Sequence, residues 1–273
     1  MSNGSAVEPA AVRLDVEYAS LQPLRTRITT HRTYSEQPDD VNAAVMGLLP
    51  AADAKQRLLD VGCGTGEFLR HLRESGHRGE LVGLDTSEAA VQAVRTIPGV
   101  EAVLGSATDL GFPDGSFDVV TARHMLYHVD EPVTALAEFR RVLTDGARCI
   151  VLVNHAETVP KTMKMVRNVA RELGLEPPSK GIANVHSDNL PGMMIDVFGS
   201  VDVVRHDNAL VFPEPEPLIA FAIAVFTLCG ILPDSPVRPE AVDLVKRRVH
   251  QWFERNNGPW RDPKGYTACA ATR

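Results

Sequence analysis

Short apolar runs alternate with segments of helical periodicity through the middle of the chain. The apolar runs lie at 57–61, 80–85, 101–104, 117–121 and 147–154, and helical patterns fill 67–75, 87–97, 132–143 and 161–173. Strands that are apolar throughout and separated by helices are typical of βαβ units in a parallel sheet covered on both faces. Because such crossovers are right-handed, the carboxyl ends of the strands share one edge, where α/β sheets bind their ligands.

The flanking segments follow this pattern less regularly. Residues 15–38 are mixed, and Asp39 and Asp40 then favour the start of a helix that runs to about Leu49. Beyond residue 175 the prolines at 177–178 and 213–217 interrupt the pattern; we expect strands at 201–204 and 266–271, and helices at 188–198, 218–229 and 240–255. The pattern therefore predicts one α/β domain with a mostly parallel, seven-stranded sheet.

Composition and charge narrow the function classes. The chain has 273 residues and a net charge of −7, which disfavours a nucleic-acid partner. Its four cysteines form no CxxC pair, so we expect free thiols, a reducing cytoplasmic location and no metal. The amino terminus lacks the basic and apolar regions of a secretory signal. The longest apolar stretch, 218–232, is shorter than the roughly 20 residues that span a bilayer, so no membrane partner is expected.

The segment from Leu58 to Leu69, LLDVGCGTGEFL, carries the strongest chemical signal. A buried strand leads into three alternate glycines, which tolerate positive φ and close approach of a ligand, and then into a helix. A dinucleotide fingerprint requires G-x-G-x-x-G, but its third glycine is replaced here by Glu67, a carboxylate where a pyrophosphate would sit. Asp60, just before the loop, instead suits a ligand with an ammonium group.

These residues resemble motif I of the class I methyltransferases that depend on S-adenosylmethionine (SAM). Asp85, at the end of the next apolar run, resembles the family's ribose-binding acid, although it is also placed to cap a helix. Thr86 then occupies the adenine-edge position. The segment 105–118 resembles the family's G-D-A-x-x-L-P-F-P-D-x-S-F-D pattern, but Ser106 replaces the acid that takes the adenine amino group. The Ser106 hydroxyl or the backbone at Ala107 would have to serve instead.

The resemblance covers about residues 57–155 and implies a Rossmann-like class I methyltransferase fold, with helices on both faces of the sheet and a helical substrate cap. It implies that residues 1–38 cover the cofactor site and that 39–273 form the methyltransferase domain, with cap insertions at about 156–200 and 213–240. It further implies SAM as cofactor and S-adenosylhomocysteine (SAH) as product. The expected cofactor-binding residues are Asp60, Gly62, Cys63, Gly64, Gly66, Asp85, Thr86, Ser106, Ala107, Arg123 and Arg32, with Arg32 pairing with the SAM carboxylate.

Histidines supply the candidate catalytic groups. A base is needed only if the acceptor atom loses a proton, and histidine titrates near neutral pH. His128 is the first choice, because it follows the fourth strand at the ligand edge; the alternative is a histidine that bonds a nearby carbonyl. His155, after the fifth strand, and His124 are further candidates. His124 and His128 have the i, i+4 spacing of two ligands on a helix, but without the glutamate of H-E-x-x-H zinc is disfavoured.

The acceptor is expected to be a small molecule methylated at oxygen or nitrogen, such as a scaffold of natural-product or antibiotic biosynthesis. One alternative is carbon methylation of a quinone-like substrate. Another is a SAM- or SAH-binding protein that uses the fold for a reaction other than methyl transfer. The segment 218–226 is apolar all round and suits a roof over the acceptor, a core helix or a dimer contact, so the chain is expected to be a monomer or homodimer.

Overall fold

In a computed structural model of the protein, residues 16, 20–38, 40–49, 55–178 and 184–273 are described. The chain divides into two compact units. The first, termed the helical unit, comprises Met1–Tyr34, Val159–Ile182 and Leu210–Asp262. The second, termed the sheet unit, comprises Ser35–Thr158, Ala183–Ala209 and Pro263–Arg273.

The sheet has the seven strands that the sequence predicts. They are β1 (Leu58–Val61), β2 (Leu81–Asp85), β3 (Val100–Leu104), β4 (Phe117–Arg123), β5 (Leu143–Asn154), β6 (Asp202–Phe212) and β7 (Trp260–Thr272). Their order is β3-β2-β1-β4-β5-β7-β6. The first five strands are parallel and β7 is antiparallel to β5. The α/β fold with a mostly parallel sheet is thus confirmed, although β6 and β7 are longer than expected.

The helices are α1 (Gln22–Tyr34), α2 (Val41–Met46), α3 (Glu67–Glu74), α4 (Glu88–Arg95), α5 (Pro132–Val142), α6 (Pro160–Glu172), α7 (Leu190–Phe198), α8 (Pro215–Ala224) and α9 (Arg238–Arg255). Asp40 caps α2 as predicted, because its carboxylate accepts a hydrogen bond from the Ala43 amide at 2.9 Å; Asp39 lies outside the described residues. The helix α1 corrects the expectation of a mixed segment, and α8 begins inside the proline-rich run, where Pro215 suits a first turn. No helix in the described part of the chain is long and apolar enough to cross a membrane.

The helical unit has an apolar core of its own. On α8, Leu218, Phe221 and Ala222 are fully buried in it, so the segment that is apolar all round is a core helix. The α1 side chains His31 and Tyr34 join this core, with ring centroids 5.8 Å from Phe221 and 5.3 Å from Phe212, respectively.

The boundaries of the units differ from those expected for the cap. Of the predicted insertion at 156–200, residues 159–178 cluster with the helical unit, whereas α7 clusters with the sheet unit and packs against α5. The other predicted insertion, 213–240, lies inside a longer helical segment, Leu210–Asp262. The helix α1, which belongs to the expected amino-terminal segment 1–38, also clusters with this unit.

Candidate functional site

Strand order decides where the predicted site residues meet. β1 and β4 are neighbours, and the chain continues from β1 to β2 on one side of this pair and from β4 to β5 on the other. The loops after β1 and β4 therefore diverge, which opens a crevice at the carboxyl ends of the strands. The glycine loop follows β1, Asp85 ends β2, and Arg123 ends β4. The sheet unit thus brings most of the predicted cofactor-binding residues to one edge.

The three loop glycines adopt left-handed backbone conformations, with φ of 67° at Gly62, 55° at Gly64 and 71° at Gly66. Two of them also have no room for a side chain. A Cβ on Gly62 would lie 2.5 Å from the Cβ of Met125, and one on Gly66 would lie 2.6 Å from the Cδ1 of Ile97. Both the conformation and the packing of this turn therefore require glycine.

The backbone N–H groups of the loop are largely used within the protein. Those of Gly62 and Cys63 donate to the Leu84 carbonyl at 2.7 and 3.1 Å, and that of Gly66 donates to the Cys63 carbonyl at 3.0 Å. The Gly64 N–H donates to the Asp85 carboxylate at 2.9 Å. A phosphate-binding loop presents such groups to its ligand instead. The loop therefore favours a ligand without phosphate, in agreement with the missing third glycine.

Cys63 differs from its expected role as a cofactor contact. Its side chain is buried in the core, where a Cβ on Gly83 would lie 3.0 Å from its sulfur atom. Burial, with smaller contributions from the charges of Asp60 and Asp85, raises the pKa of the thiol far above its usual range. The side chain therefore packs beneath the loop as a neutral thiol.

Asp85 supports the start of α4, and its ribose-binding role stays a prediction for which its carboxylate keeps acceptor positions. Its Oδ1 accepts the Ser87 N–H at 2.9 Å, which supports the start of α4, and its Oδ2 accepts the Gly64 N–H at 2.9 Å. A carboxylate offers about four acceptor positions, so each oxygen can accept one further hydrogen bond. Burial raises the pKa of this carboxyl, although the two backbone hydrogen bonds oppose the shift. The arrangement suits a vicinal diol, and the exposed Thr86 follows directly.

The loop after β3 holds the residues expected near an adenine ring. The Ser106 hydroxyl lies 2.9 Å from that of Thr108 and accepts the Thr108 N–H at 3.2 Å. Ala107 is buried and Asp109 is exposed. The Ser106 hydroxyl is therefore held by a local turn, and its contact with adenine stays a prediction.

Asp60 and Arg123 form a buried ion pair. Asp60 lies beside Thr121 in the register of β1 and β4, and its Oδ1 accepts the Thr121 hydroxyl at 2.7 Å. Arg123, two residues further along β4, places Nη2 3.2 Å from Oδ2 and Nε 3.4 Å from Oδ1. Its guanidinium also lies 4.1 Å from the centroid of the Phe68 ring, and its Nη1 donates to Asn42 at 3.2 Å. The carboxylate that the sequence assigned to a ligand ammonium thus already has a cation from the protein.

Arg32 is the one predicted cofactor residue that belongs to the helical unit, where it lies exposed on α1. Its pairing with a ligand carboxylate stays a prediction.

The histidines after β4 correct one geometric expectation. His124 has a φ of 53°, and only Leu126–His128 form a short 3-10 helix. His124 and His128 therefore do not lie on one face of a helix, which removes the premise of the two-ligand arrangement. The ring of His128 packs edge-on against Tyr127, with centroids 4.5 Å apart. The residues that the structure describes contain no group of three His, Cys, Asp or Glu that could hold a metal.

His124 and His155 lie close to aromatic residues that sequence reasoning missed. The Tyr266 ring stacks on His206 with centroids 4.9 Å apart and meets His124 edge-on at 6.4 Å. The His155 N–H donates to the Gly265 carbonyl at 3.0 Å, and its imidazole fills the space where a Cβ on Gly265 would lie.

The carboxyl ends of β4 and β5 thus carry two predicted histidines, with Tyr266 from β7 and His206 from β6 nearby. Burial lowers the pKa of His155, although its Nε2 lies 3.5 Å from Asp207. A pKa below the usual 6.5 keeps this imidazole neutral at pH 7 and able to accept a proton. The only sequence signal for Tyr266 was its place at the start of the last apolar run.

Comparisons with known proteins show similarity to methyltransferases in sequence and in fold. Residues 59–151 match the family described as Methyltransferase domain. Over 109 residues the chain is 35% identical to a demethylmenaquinone methyltransferase of Staphylococcus carnosus, which covers 38% of the chain and 45% of that protein. In structure it resembles a candidate methyltransferase from an antibiotic biosynthesis pathway of Anabaena variabilis, with a TM-score of 0.60, 15% identity and coverage of 85% and 96%. It also resembles the cyclase SpnF, with a TM-score of 0.58, 18% identity and coverage of 97% and 98%.

The residues that match the family, 59–151, lie wholly in the sheet unit. The first curated relatives are matched over 32% and 45% of their length, so the chain spans less than half of each. The structural neighbours extend the agreement in fold to most of the chain.

Proposed function

We propose that this chain is an enzyme of the class I SAM-dependent methyltransferase family. In this proposal it transfers a methyl group from SAM to an oxygen or nitrogen atom of a small molecule. The observation that carries the proposal is the joint geometry of the glycine loop and Asp85. The N–H groups of Gly62, Cys63, Gly64 and Gly66 donate within the protein, and Asp85 keeps acceptor capacity beside the loop. A nucleoside ligand without phosphate fits this arrangement better than a dinucleotide does.

The chain's own residues fit the cofactor. SAM supplies an electrophilic methyl group on its sulfonium. The protein therefore has to bind SAM, align the acceptor with the methyl group and exclude water. The Asp85 carboxylate would accept the ribose hydroxyls, while the backbone of the Gly62–Gly66 turn allows close approach of the ligand. The exposed Thr86 and the turn at Ser106 and Ala107 would flank the adenine.

A histidine would hold the proton that an oxygen or nitrogen acceptor loses. His155 is the first candidate from the structure, because it follows β5 at the ligand edge and burial lowers its pKa, which favours the neutral form that accepts a proton. His128 and His124 are the alternatives that follow β4. Replacing each in turn by Gln separates them: loss of turnover with unchanged SAH affinity identifies the base, whereas full turnover in all three variants would contradict general-base catalysis by these residues.

The acceptor is proposed to be a secondary-metabolite scaffold, and the helical unit, with its separate apolar core, is proposed to select it. A cytoplasmic location fits this role, since all four cysteines are free and buried. A second candidate is carbon methylation of a quinone-like substrate, favoured by the demethylmenaquinone methyltransferases among the relatives. The cyclase SpnF shows that likeness of fold does not fix the reaction. SAH release during incubation with phenolic, amine and quinol acceptors distinguishes these reactions.

Calorimetric titration with SAH and with NADH tests the cofactor assignment. We expect SAH to bind and NADH not to bind. Asp85→Ala should weaken SAH binding well over tenfold. It removes about two charge-assisted hydrogen bonds to the ribose, and each contributes roughly 1.5–3 kcal/mol. Asp145→Ala is the matched control, because this carboxylate is 98% exposed and lies at the start of β5, away from the ligand edge. Binding of NADH, or unchanged SAH affinity in folded Asp85→Ala, would refute the assignment.

A further inference from the structure

The ion pair of Asp60 and Arg123 points to a specific recognition of the cofactor's amino-acid end. We infer that Arg123, rather than Asp60, faces this end and binds its carboxylate, while Asp60 acts as a positioning residue that holds the guanidinium. The inference rests on the proposed function, because it takes SAM and SAH as the ligands. It differs from the sequence expectation, which assigned a ligand ammonium to Asp60 and a ligand carboxylate to Arg32.

Accessibility separates the two partners. The side chain of Asp60 is 1% exposed, whereas that of Arg123 is 13% exposed. The Asp60 carboxylate also accepts three hydrogen bonds within the protein, because Thr121 and Nε of Arg123 donate to Oδ1 and Nη2 of Arg123 donates to Oδ2, so only about one of its four acceptor positions is left. A ligand ammonium would have to compete with a guanidinium that is held in place by its other contacts.

Arg123 keeps the donors that a carboxylate needs. A guanidinium has five N–H groups, of which two contact Asp60 and one contacts Asn42. One N–H on each terminal nitrogen therefore has no partner among the residues that the structure describes. Two such donors match the two oxygens of a carboxylate, which is the bidentate geometry that arginine favours.

The surroundings of Arg123 hold its guanidinium in place and leave two of its N–H groups for a ligand. The Phe68 ring supports one face of the guanidinium at 4.1 Å, and Asn42 fixes Nη1. Asp60 balances the charge of the buried cation, which would otherwise be expensive to bury. All four residues lie in the sheet unit, at the carboxyl ends of β1 and β4 or on α2 and α3. The pair is therefore a preformed receptor for an anionic group beside the glycine loop.

Three ligands test this assignment by calorimetry: SAH, decarboxylated SAH, which keeps the ammonium, and deaminated SAH, which keeps the carboxylate. The wild-type protein should bind SAH about ten- to hundredfold more tightly than decarboxylated SAH, as expected for a charge-assisted hydrogen-bonded pair. Arg123→Met should abolish this preference by weakening SAH and deaminated SAH, while the affinity for decarboxylated SAH stays close to that of the wild type. A purely structural role would weaken all three ligands alike.

Asp60→Asn distinguishes positioning from direct binding. If Asp60 acts through Arg123, this variant weakens SAH and deaminated SAH by the same factor and spares decarboxylated SAH. If Asp60 itself bound the ammonium, the variant would spare deaminated SAH, and the inference would be wrong. Asn42→Ala, which keeps both charges, should give a smaller loss with the same ligand pattern.

Folding is controlled by a second variant, because Arg123→Met leaves the Asp60 carboxylate buried without a counterion. The double variant Asp60→Leu/Arg123→Met removes both charges, and replacing a buried ion pair by apolar residues is often tolerated. It should show the same lost preference for SAH over decarboxylated SAH. A preference that survives in the double variant overturns the role of Arg123 but leaves the proposed function intact, whereas a wild-type protein that binds none of the three ligands overturns both.

Discussion

Replacing Asp262 by Ala removes a buried carboxylate that holds the start of α6. The preceding residue, Val159, has a φ of 47° and no side chain that could cap the helix. Asp262, fully buried on β7, takes this role from about 100 residues away. Its carboxylate accepts the backbone N–H groups of Lys161 at 3.0 Å and Thr162 at 2.8 Å, the Thr162 hydroxyl at 2.7 Å and the Trp260 indole at 3.5 Å.

The magnitude follows from these contacts. Hydrogen bonds to a charged group contribute roughly 1.5–3 kcal/mol each, and Asp262→Ala leaves its donors inside the helical unit without the acceptor. Water that enters the vacated space can accept some of these hydrogen bonds and so recovers part of the lost stabilisation. We therefore expect the free energy of unfolding to fall by about 3–5 kcal/mol. For Asp262→Asn the free energy of unfolding should fall by about 2 kcal/mol, because the amide NH₂ group cannot accept hydrogen bonds from the N–H donors that it then faces. For Thr162→Val it should fall by about 1 kcal/mol, because only the hydrogen bond of the hydroxyl is lost.

Tryptophan fluorescence during urea unfolding measures this effect where it arises. The chain has two tryptophans, Trp252 and Trp260, and both belong to the helical unit. The loss should follow the order Asp262→Ala, Asp262→Asn, Thr162→Val. A change below about 1 kcal/mol for Asp262→Ala, the size of a single neutral hydrogen bond, would refute the claim that this carboxylate stabilises the unit.

Three further predictions concern the sheet unit. Gly62→Ala should lower the free energy of unfolding by about 2–5 kcal/mol, because of the positive φ and the clash with Met125. Gly111→Ala, at a φ of 67° but with nothing within 4 Å, should lower it by only about 1–2 kcal/mol. Equal losses in urea unfolding would contradict the packing argument. His124→Gly relieves the strain of a φ of 53° and should maintain or raise the thermal stability, so a loss of turnover in a stable variant would assign a function to the imidazole. The pKa of His155, measured by NMR, should lie below the usual 6.5. Because the unfolded chain then binds the proton more readily, the free energy of unfolding falls as the pH drops below about 6.5, and His155→Gln should flatten this decline. A measured pKa at or above 6.5 would disprove burial as the controlling effect.

The sequence predicted the sheet unit well because its signals are local. Each of the first five strands contains a short run that is largely apolar, and the helices between them show their own periodicity, so the type of each element can be predicted without knowledge of distant contacts. The three glycines with positive φ and the acids at the ends of β1 and β2 also follow from residue chemistry at fixed spacing. The helical unit was predicted less well, because three separate chain segments build its single core and no one segment reveals the others.

The amino-acid sequence alone was enough to predict the fold class, the resemblance to the class I methyltransferases and the position of the glycine loop with Asp85. Only the tertiary structure decided how charges and rings from different strands combine. It paired Asp60 with Arg123 because β1 and β4 are neighbours in register. It brought Tyr266 near His124 because β7 runs antiparallel beside β5, with Tyr266 opposite Asn154. The propensity of a segment for helix or strand depends on neighbouring residues in the sequence. The partner of a buried charge depends on strand order and register, which arise only when the whole sheet has assembled.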